Sequence, residues 1–310
     1  MRPITLSFIV FCSIFSTLAA QQLPNHYGID ANAFVWNPAL AGRFNYRSFG
    51  VSYNQPWSGF DGAPKQLQTF AESPVKPFRL SAGLSVGREF SNTYDRTDVT
   101  LATNYKLRFG YRDKMHLAIG LSIRWEQMQL SIDNPIVNDP DDPLIGLTRD
   151  IYSRFNAGVG LFFATNDDYY KETIYFAGLA AFPVIPGGVG ADVQLYRPAI
   201  HGSAMAGASI KLNNSDWFVE PVLWLDYSQP AQLYPQAYVK LERDMYYWAR
   251  LHLTTNSAAL GAGYMLQVGE FMDLRIGATY RYWFGSISQV NQGGMDGEII
   301  LKEQLPARYY

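Results

Sequence analysis

From about residue 44 onward, apolar and polar residues alternate with a period of two, and a chain written this way can only be buried on one face of each extended segment. In Met115–Trp125 the odd positions are Met115, Leu117, Ile119, Leu121, Ile123 and Trp125, against His116, Ala118, Gly120, Ser122 and Arg124. Val99, Leu101, Tyr105, Leu107 and Phe109 face the other way from Asp98, Thr100, Asn104, Lys106 and Arg108. The same pattern places Phe155, Val159 and Leu161 opposite Arg154, Asn156 and Gly160, and Ile276, Ala278, Tyr280 and Tyr282 opposite Arg275, Gly277, Thr279 and Arg281.

Extending this reading predicts about fourteen strands, near 44–54, 66–75, 78–89, 94–109, 114–130, 150–165, 173–182, 201–212, 216–227, 234–242, 245–254, 258–268, 271–284 and 296–303. Every second connection is turn-like: Lys76-Pro77, Gly110 to Asp113, Asn213 to Ser215, Arg243-Asp244, Gly269-Glu270. Those between are mostly long: Gln55 to Lys65, Ser131 to Arg149, Pro183 to Ile200, Gly285 to Met295. An up-and-down meander sorts such connections onto two different rims, which is the asymmetry of an outer-membrane barrel. The expected fold is therefore all-β, a transmembrane antiparallel β-barrel of about 14 strands.

The competing architecture is a soluble sandwich with one wet face. Its outer surface should carry more Lys, Glu and Asp than these strands offer, since only 17% of the 310 residues are charged. Aromatic residues make up 15% of the chain, 21 Tyr, 19 Phe and 7 Trp. Tyr46, Tyr53, Trp57, Tyr105, Tyr111, Trp125, Tyr152, Trp217, Tyr280, Tyr282 and Trp283 are candidates for interfacial girdles.

Helical membrane proteins need repeated apolar runs of about 20 residues. Only Ile4 to Ala20 approaches one, and the mean hydropathy is −0.11. Residues 1–20 read instead as a signal peptide, with Arg2 in the n-region, Ile4 to Phe15 as the apolar core and Thr17-Leu18-Ala19-Ala20 as the cleavage zone. The single cysteine, Cys12, falls inside it, so the mature chain has no disulfide, zinc-cysteine site or cysteine nucleophile. A net charge of −2 with no basic patch argues against nucleic acid as a partner. Residues 21–43 form a periplasmic lead-in or plug segment, and 44–310 the barrel.

No catalytic constellation stands out, and no enzyme activity or cofactor is expected. His26, His116, His201 and His252 are scattered without i,i+4 spacing. Asp139-Pro140-Asp141-Asp142-Pro143 is a proline-stiffened loop before it is a calcium site, and Gly187-Gly188-Val189-Gly190 lacks the strand-then-helix context of a phosphate cradle. The inward polar set, Asp98, Lys106, Arg108, Arg124, Glu126, Arg154, Glu220, Asp226, Arg250, Asp273, Arg275, Arg281 and Glu298, is mixed in sign and suited to pairing within the lumen. A conducting pore would also be polar, so this set leaves open whether the lumen is plugged.

Two stretches are more specific: Phe34-Val35-Trp36-Asn37-Pro38-Ala39-Leu40-Ala41-Gly42, and Tyr53-Asn54-Gln55-Pro56-Trp57-Ser58-Gly59-Phe60-Asp61-Gly62-Ala63-Pro64-Lys65-Gln66. Together they resemble the PorP/SprF family of the type IX secretion system, outer-membrane proteins of Bacteroidota. That family carries an N-P-A-x-A-G element followed by a loop of the form N-Q-W-x-G-x-D-G-A-P-K-T. Here Pro56 is inserted before Trp57, and Gln66 stands where Thr is frequent. Looser likeness continues through 154–163, 174–179 and 298–301.

The resemblance implies a non-enzymatic component of type IX secretion that supports secretion or surface attachment of proteins such as gliding adhesins. Implied partners are periplasmic and outer-membrane components of the system, a cargo protein with a type IX C-terminal signal, and outer-membrane lipid. Independently of the resemblance, an even number of strands would place both termini in the periplasm. Candidate partner-binding residues are Asn37, Pro38, Trp57, Gly59, Asp61, Gly62 and Lys65; an alternative role for Trp57 and Phe60 is to anchor the loop at the membrane interface. A second reading is a FadL-like channel for a small hydrophobic ligand, because fatty-acid channels also place an N-P-A element before a fourteen-strand barrel.

Overall fold

The computed structural model describes residues 32–304 apart from 45, 60, 76–78, 93, 131–150, 167–171, 188–199, 213–214, 229–231, 244–245, 270 and 285–292. Fourteen strands form one closed sheet: β1 Tyr46–Gln55, β2 Lys65–Val75, β3 Leu80–Phe90, β4 Tyr94–Phe109, β5 Met115–Leu130, β6 Ile151–Ala164, β7 Ile174–Gly187, β8 His201–Lys211, β9 Trp217–Ser228, β10 Gln232–Arg243, β11 Tyr247–Thr254, β12 Ser257–Gln267, β13 Met272–Trp283 and β14 Gly294–Gln304. Each pairs antiparallel with its sequence neighbours, and β1 closes on β14 from Tyr46↔Gln304 to Gln55↔Met295. No sheet edge is left, which is what a lipid environment demands of a β structure. Among the described residues no helix is long and apolar enough to cross a membrane.

The connections after even-numbered strands are short or moderate, while the odd ones include 131–150 and 188–200. The barrel thus has a short-turn rim, where β1 begins and β14 ends, and a long-loop rim. One strand runs further than its sequence suggests. β7 continues past Pro183 to Gly187, because three residues, Phe182 to Val184, bulge opposite the single residue Gly158 of β6, and pairing resumes at Ala157↔Ile185. β8 leaves the ladder at Phe182↔His201, so Pro183 falls where strand pairing is already interrupted and its missing donor is not called on. The proline that closes the sequence-derived strand therefore marks a bulge.

The outer face is apolar along every strand. In β5, Ile119, Leu121 and Ile123 point outward while Ala118, Gly120 and Ser122 point inward, and Leu223, Leu260 and Ile299 are among the most exposed residues elsewhere. Aromatics edge this band. Tyr53, Phe90, Tyr280, Tyr282 and Phe284 lie toward the long-loop rim, and Phe109, Tyr111, Tyr175, Tyr246, Tyr247 and Phe271 toward the short-turn rim. Two girdle candidates belong elsewhere. Tyr282 and Trp283 are adjacent in β13, so only one can face out; Tyr282 does, and Trp283 is 2% exposed inside. Tyr46 also turns inward and stacks on Phe44, with ring centroids 5.0 Å apart.

Candidate functional site

Fourteen strands enclose a lumen wider than side chains alone fill, so its contents decide what the barrel can do. In the half nearer the short-turn rim it is filled from one side by residues 32–43. Two 3-10 turns, Ala33–Val35 and Pro38–Leu40, fold this segment compactly, with Pro38 at the first position of its turn and the Asn37 carboxamide oxygen accepting from the Ala39 N–H at 3.0 Å. Asn37 is 1% exposed. Its Nδ2 donates to the carbonyls of Leu161 on β6 and Leu179 on β7, at 3.1 and 3.3 Å.

The wall beneath the segment is floored by glycine. A Cβ at Gly83 would lie 2.8 Å from the Phe34 ring, one at Gly120 would overlap the Ala39 backbone, and one at Gly160 would overlap Asn37. Wall side chains then grip the segment's main chain. Asn104 Nδ2 donates to the carbonyls of Pro38, Ala39 and Ala41 at 3.2, 3.2 and 2.7 Å, and an Arg124 guanidinium nitrogen donates to the Val35 carbonyl at 2.8 Å. Gly42, at φ +55°, is clamped on both sides. Its N–H donates to Glu72 Oε2 at 2.8 Å and its carbonyl accepts from Lys106 Nζ at 2.7 Å.

Leu40, Ala39 and Ala33 cover an apolar patch of the inner wall made by Phe162, Ile174, Phe176, Met205, Val222 and Trp224. Arg43 closes the end of this patch, its guanidinium 4.4 Å from the Phe176 ring centroid and 5.0 Å from that of Phe44.

The opposite wall is filled by charge. Trp248, 2% exposed, lies flat where Gly263 and Gly277 leave room, and the Arg250 and Arg275 guanidinium carbons sit 4.7 and 4.3 Å from its ring centroid. Glu298 joins the two arginines, 3.2 Å from Arg275 Nε and 3.4 Å from Arg250. Lys240 pairs with Glu242 at 2.9 Å and reaches Glu220 at 3.9 Å; on the plug's own side of the barrel, Arg154 of β6 pairs with Glu126 of β5 at 2.6 Å. A second chain runs from Trp224 through Asp226, Gln236 and His252 to Arg281 and Ser257 across five strands. Most of the inward set read from sequence takes part. Arg108, at a strand end, is exposed, and the same alternation turns Lys240 and Glu242 inward as well.

At the long-loop rim, the β1–β2 connection folds down onto its neighbours. Ser58 donates through N and Oγ to the Gly293 carbonyl at 2.8 and 3.0 Å, Trp283 Nε1 donates to the Pro56 carbonyl at 2.9 Å, and the Asn92 N–H donates to the Gly62 carbonyl at 3.3 Å. Gly62 sits at φ +77° with its α-carbon against the Asn92 side chain, leaving no space for a Cβ. Gly59 and Asp61 are exposed at the tip, and Trp57 and Lys65 are half-buried at its base. The candidate partner residues thus fall into two groups at opposite ends of β1. Asn37 and Pro38 are inside against their own barrel, and Trp57, Gly59, Asp61, Gly62 and Lys65 are on the rim. Phe60, His26, the acidic run 139–143, Gly188 to Gly190 and the signal peptide lie outside the described residues.

Among solved structures, the fold is similar to the Ralstonia pickettii toluene transporter TbuX (TM-score 0.56, 11% identity, 88% of this chain and 93% of that one). It is also similar to the CymD monoaromatic hydrocarbon channel (TM-score 0.55, 9% identity, 93% and 96%) and to a Pseudomonas aeruginosa FadL homologue (TM-score 0.50, 10% identity, 90% and 95%). At these identities the likeness is one of fold alone. No curated protein matches the chain. A family described as "Type IX secretion system membrane protein PorP/SprF" matches residues 18–300.

Proposed function

Because the chain belongs to the PorP/SprF family of type IX secretion system membrane proteins, we propose that it supports the secretion or surface attachment of large proteins, such as gliding adhesins, as an outer-membrane component of that system. Its partners on this reading are periplasmic and outer-membrane components of the machine and a cargo protein with a type IX C-terminal signal, within outer-membrane lipid. Both termini are periplasmic, and the long-loop rim faces outward.

The observation that carries the reading is the rim loop. It is pinned to the β3–β4 and β13–β14 connections through main-chain groups, yet holds Gly59 and Asp61 out at its tip, which is how a rigid barrel presents a recognition element. The filled lumen supports a scaffold over an open pore. A FadL-like channel for a small hydrophobic ligand is the second reading, and the apolar wall patch from Phe162 to Trp224 favours it. That patch, however, is covered by Leu40 and Ala39.

The test is complementation of a deletion strain with Trp57→Ala, Asp61→Ala and Lys65→Ala together. Barrel assembly, followed by heat-modifiable gel mobility, should be retained while display of a large surface protein is lost. Full restoration of display by an assembled triple variant would overturn the role of the loop.

A further inference from the structure

The lumenal seat holds a main chain, and its present occupant leaves Asn104 Oδ1 and the Ser81 hydroxyl unused. From Val35 to Arg43 every available N–H is already committed: Val35, Trp36, Asn37, Leu40, Ala41 and Arg43 donate within the two turns, Ala39 donates to the Asn37 side chain and Gly42 to Glu72. Pro38 has none. The segment therefore presents carbonyls to the wall, and the wall's donors, Asn104 Nδ2, Lys106 Nζ and Arg124, take them.

Glu72 apart, two polar atoms beside these donors receive nothing. Asn104 is 2% exposed and its Oδ1 has no hydrogen-bond partner; nor has the hydroxyl of Ser81, 1% exposed and directly opposite it on β3. Further along the same inner wall, Asn156, also 2% exposed, has neither carboxamide atom paired. It faces Arg124 on β5, four residues beyond Gly160, or about 13 Å along the strand toward the long-loop rim. Buried polar atoms without partners are uncommon and costly, and these three residues share the β3–β6 part of the inner wall, the first two beneath the plug.

An extended polypeptide alternates N–H and C=O along each edge, so it would meet Asn104 and Ser81 with both, and run on toward Asn156. The glycine floor of Gly83, Gly120 and Gly160 admits a backbone whose side chains are small. When Gly42 leaves, Glu72 keeps the hydrogen bond from the Ser48 hydroxyl, 2.8 Å away, and stays within electrostatic reach of Lys106 and Lys302.

We propose that the seat is a binding site for an extended, small-residue polypeptide segment supplied in trans, which replaces residues 32–43. In the cell that segment belongs to the protein being exported, so the proposal rests on the secretion reading for its source. The binding site itself is testable without it.

The probe is a fluorescein-labelled peptide of repeated glycine, alanine and serine, followed by anisotropy on the full chain purified in detergent. The plugged barrel binds in proportion to the fraction of chains with an empty seat. Asn37→Ala, which frees the plug from β6 and β7, should raise the affinity ~10-fold or more, and adding Asn104→Leu should abolish the gain. Glu72→Gln, which loosens the Gly42 clamp, provides the same readout if Asn37→Ala does not assemble. Failure of the peptide to bind a variant that keeps its heat-modifiable mobility would overturn the proposal, as would binding indifferent to Asn104→Leu. Either result leaves the secretion reading intact, because that reading is decided on the surface proteome.

Discussion

Asn37 and Gly160 share one volume inside the barrel: the carboxamide oxygen of Asn37 occupies the place that a Cβ on residue 160 would take. The Asn-Pro-Ala motif and a glycine on β6, more than a hundred residues later, are thus two halves of one fit. Gly160→Ala should unseat the plug and destabilise the protein by about 1–3 kcal/mol through overpacking. Gly297→Ala, with nothing within 4 Å of the added carbon, should stay within about 0.5 kcal/mol. Urea titration of the two variants in detergent, with protease sensitivity of residues 32–43 as a second readout, separates them.

Arg275 is fully buried and holds Glu298 at 3.2 Å over the Trp248 ring. Arg275→Met should cost about 3–5 kcal/mol, because it leaves a buried carboxylate with reduced compensation. Adding Glu298→Gln should recover part of that loss, a non-additivity that a double-mutant cycle measures directly.

Leu121 is 58% exposed in the middle of β5 and faces lipid if the barrel spans a membrane. Leu121→Arg should then destabilise the refolded barrel in vesicles by about 2–4 kcal/mol, whereas Leu121→Phe should be nearly neutral. Equal tolerance of both would place that face in water.

Tags inserted at 131–149 and 188–199 should be cleaved by protease on intact cells, and tags at 110–113 and 213–215 only after permeabilisation. The reverse pattern would turn the barrel over and place the termini outside.

The strand framework was legible because lipid and lumen impose opposite polarities on successive residues, and that signal survives in every strand. It blurred where adjacent aromatics both suited a membrane interface. Tyr282 and Trp283 differ only in parity, which decided that Tyr282 meets lipid and Trp283 bonds Pro56. β7 beyond Phe182 was hidden because the sequence carries no sign that Gly158 faces a bulge able to absorb Pro183. The seat was the least legible part. Gly83, Gly120 and Gly160 lie on β3, β5 and β6, and only the register Asn104↔Gly120↔Gly160 brings two of them under one motif. The sequence singled out Asn37 as a motif residue, but its attachment to the Leu161 and Leu179 carbonyls is a property of the closed barrel.

The proposed role in protein secretion, rather than small-molecule uptake, is decided in the cell. Its most direct test is a surface proteome of a deletion strain measured beside a fatty-acid uptake assay. For a secretion component, a particular large protein disappears from the cell surface while uptake is unchanged. An unaltered surface proteome with defective uptake would contradict that role and favour the channel reading.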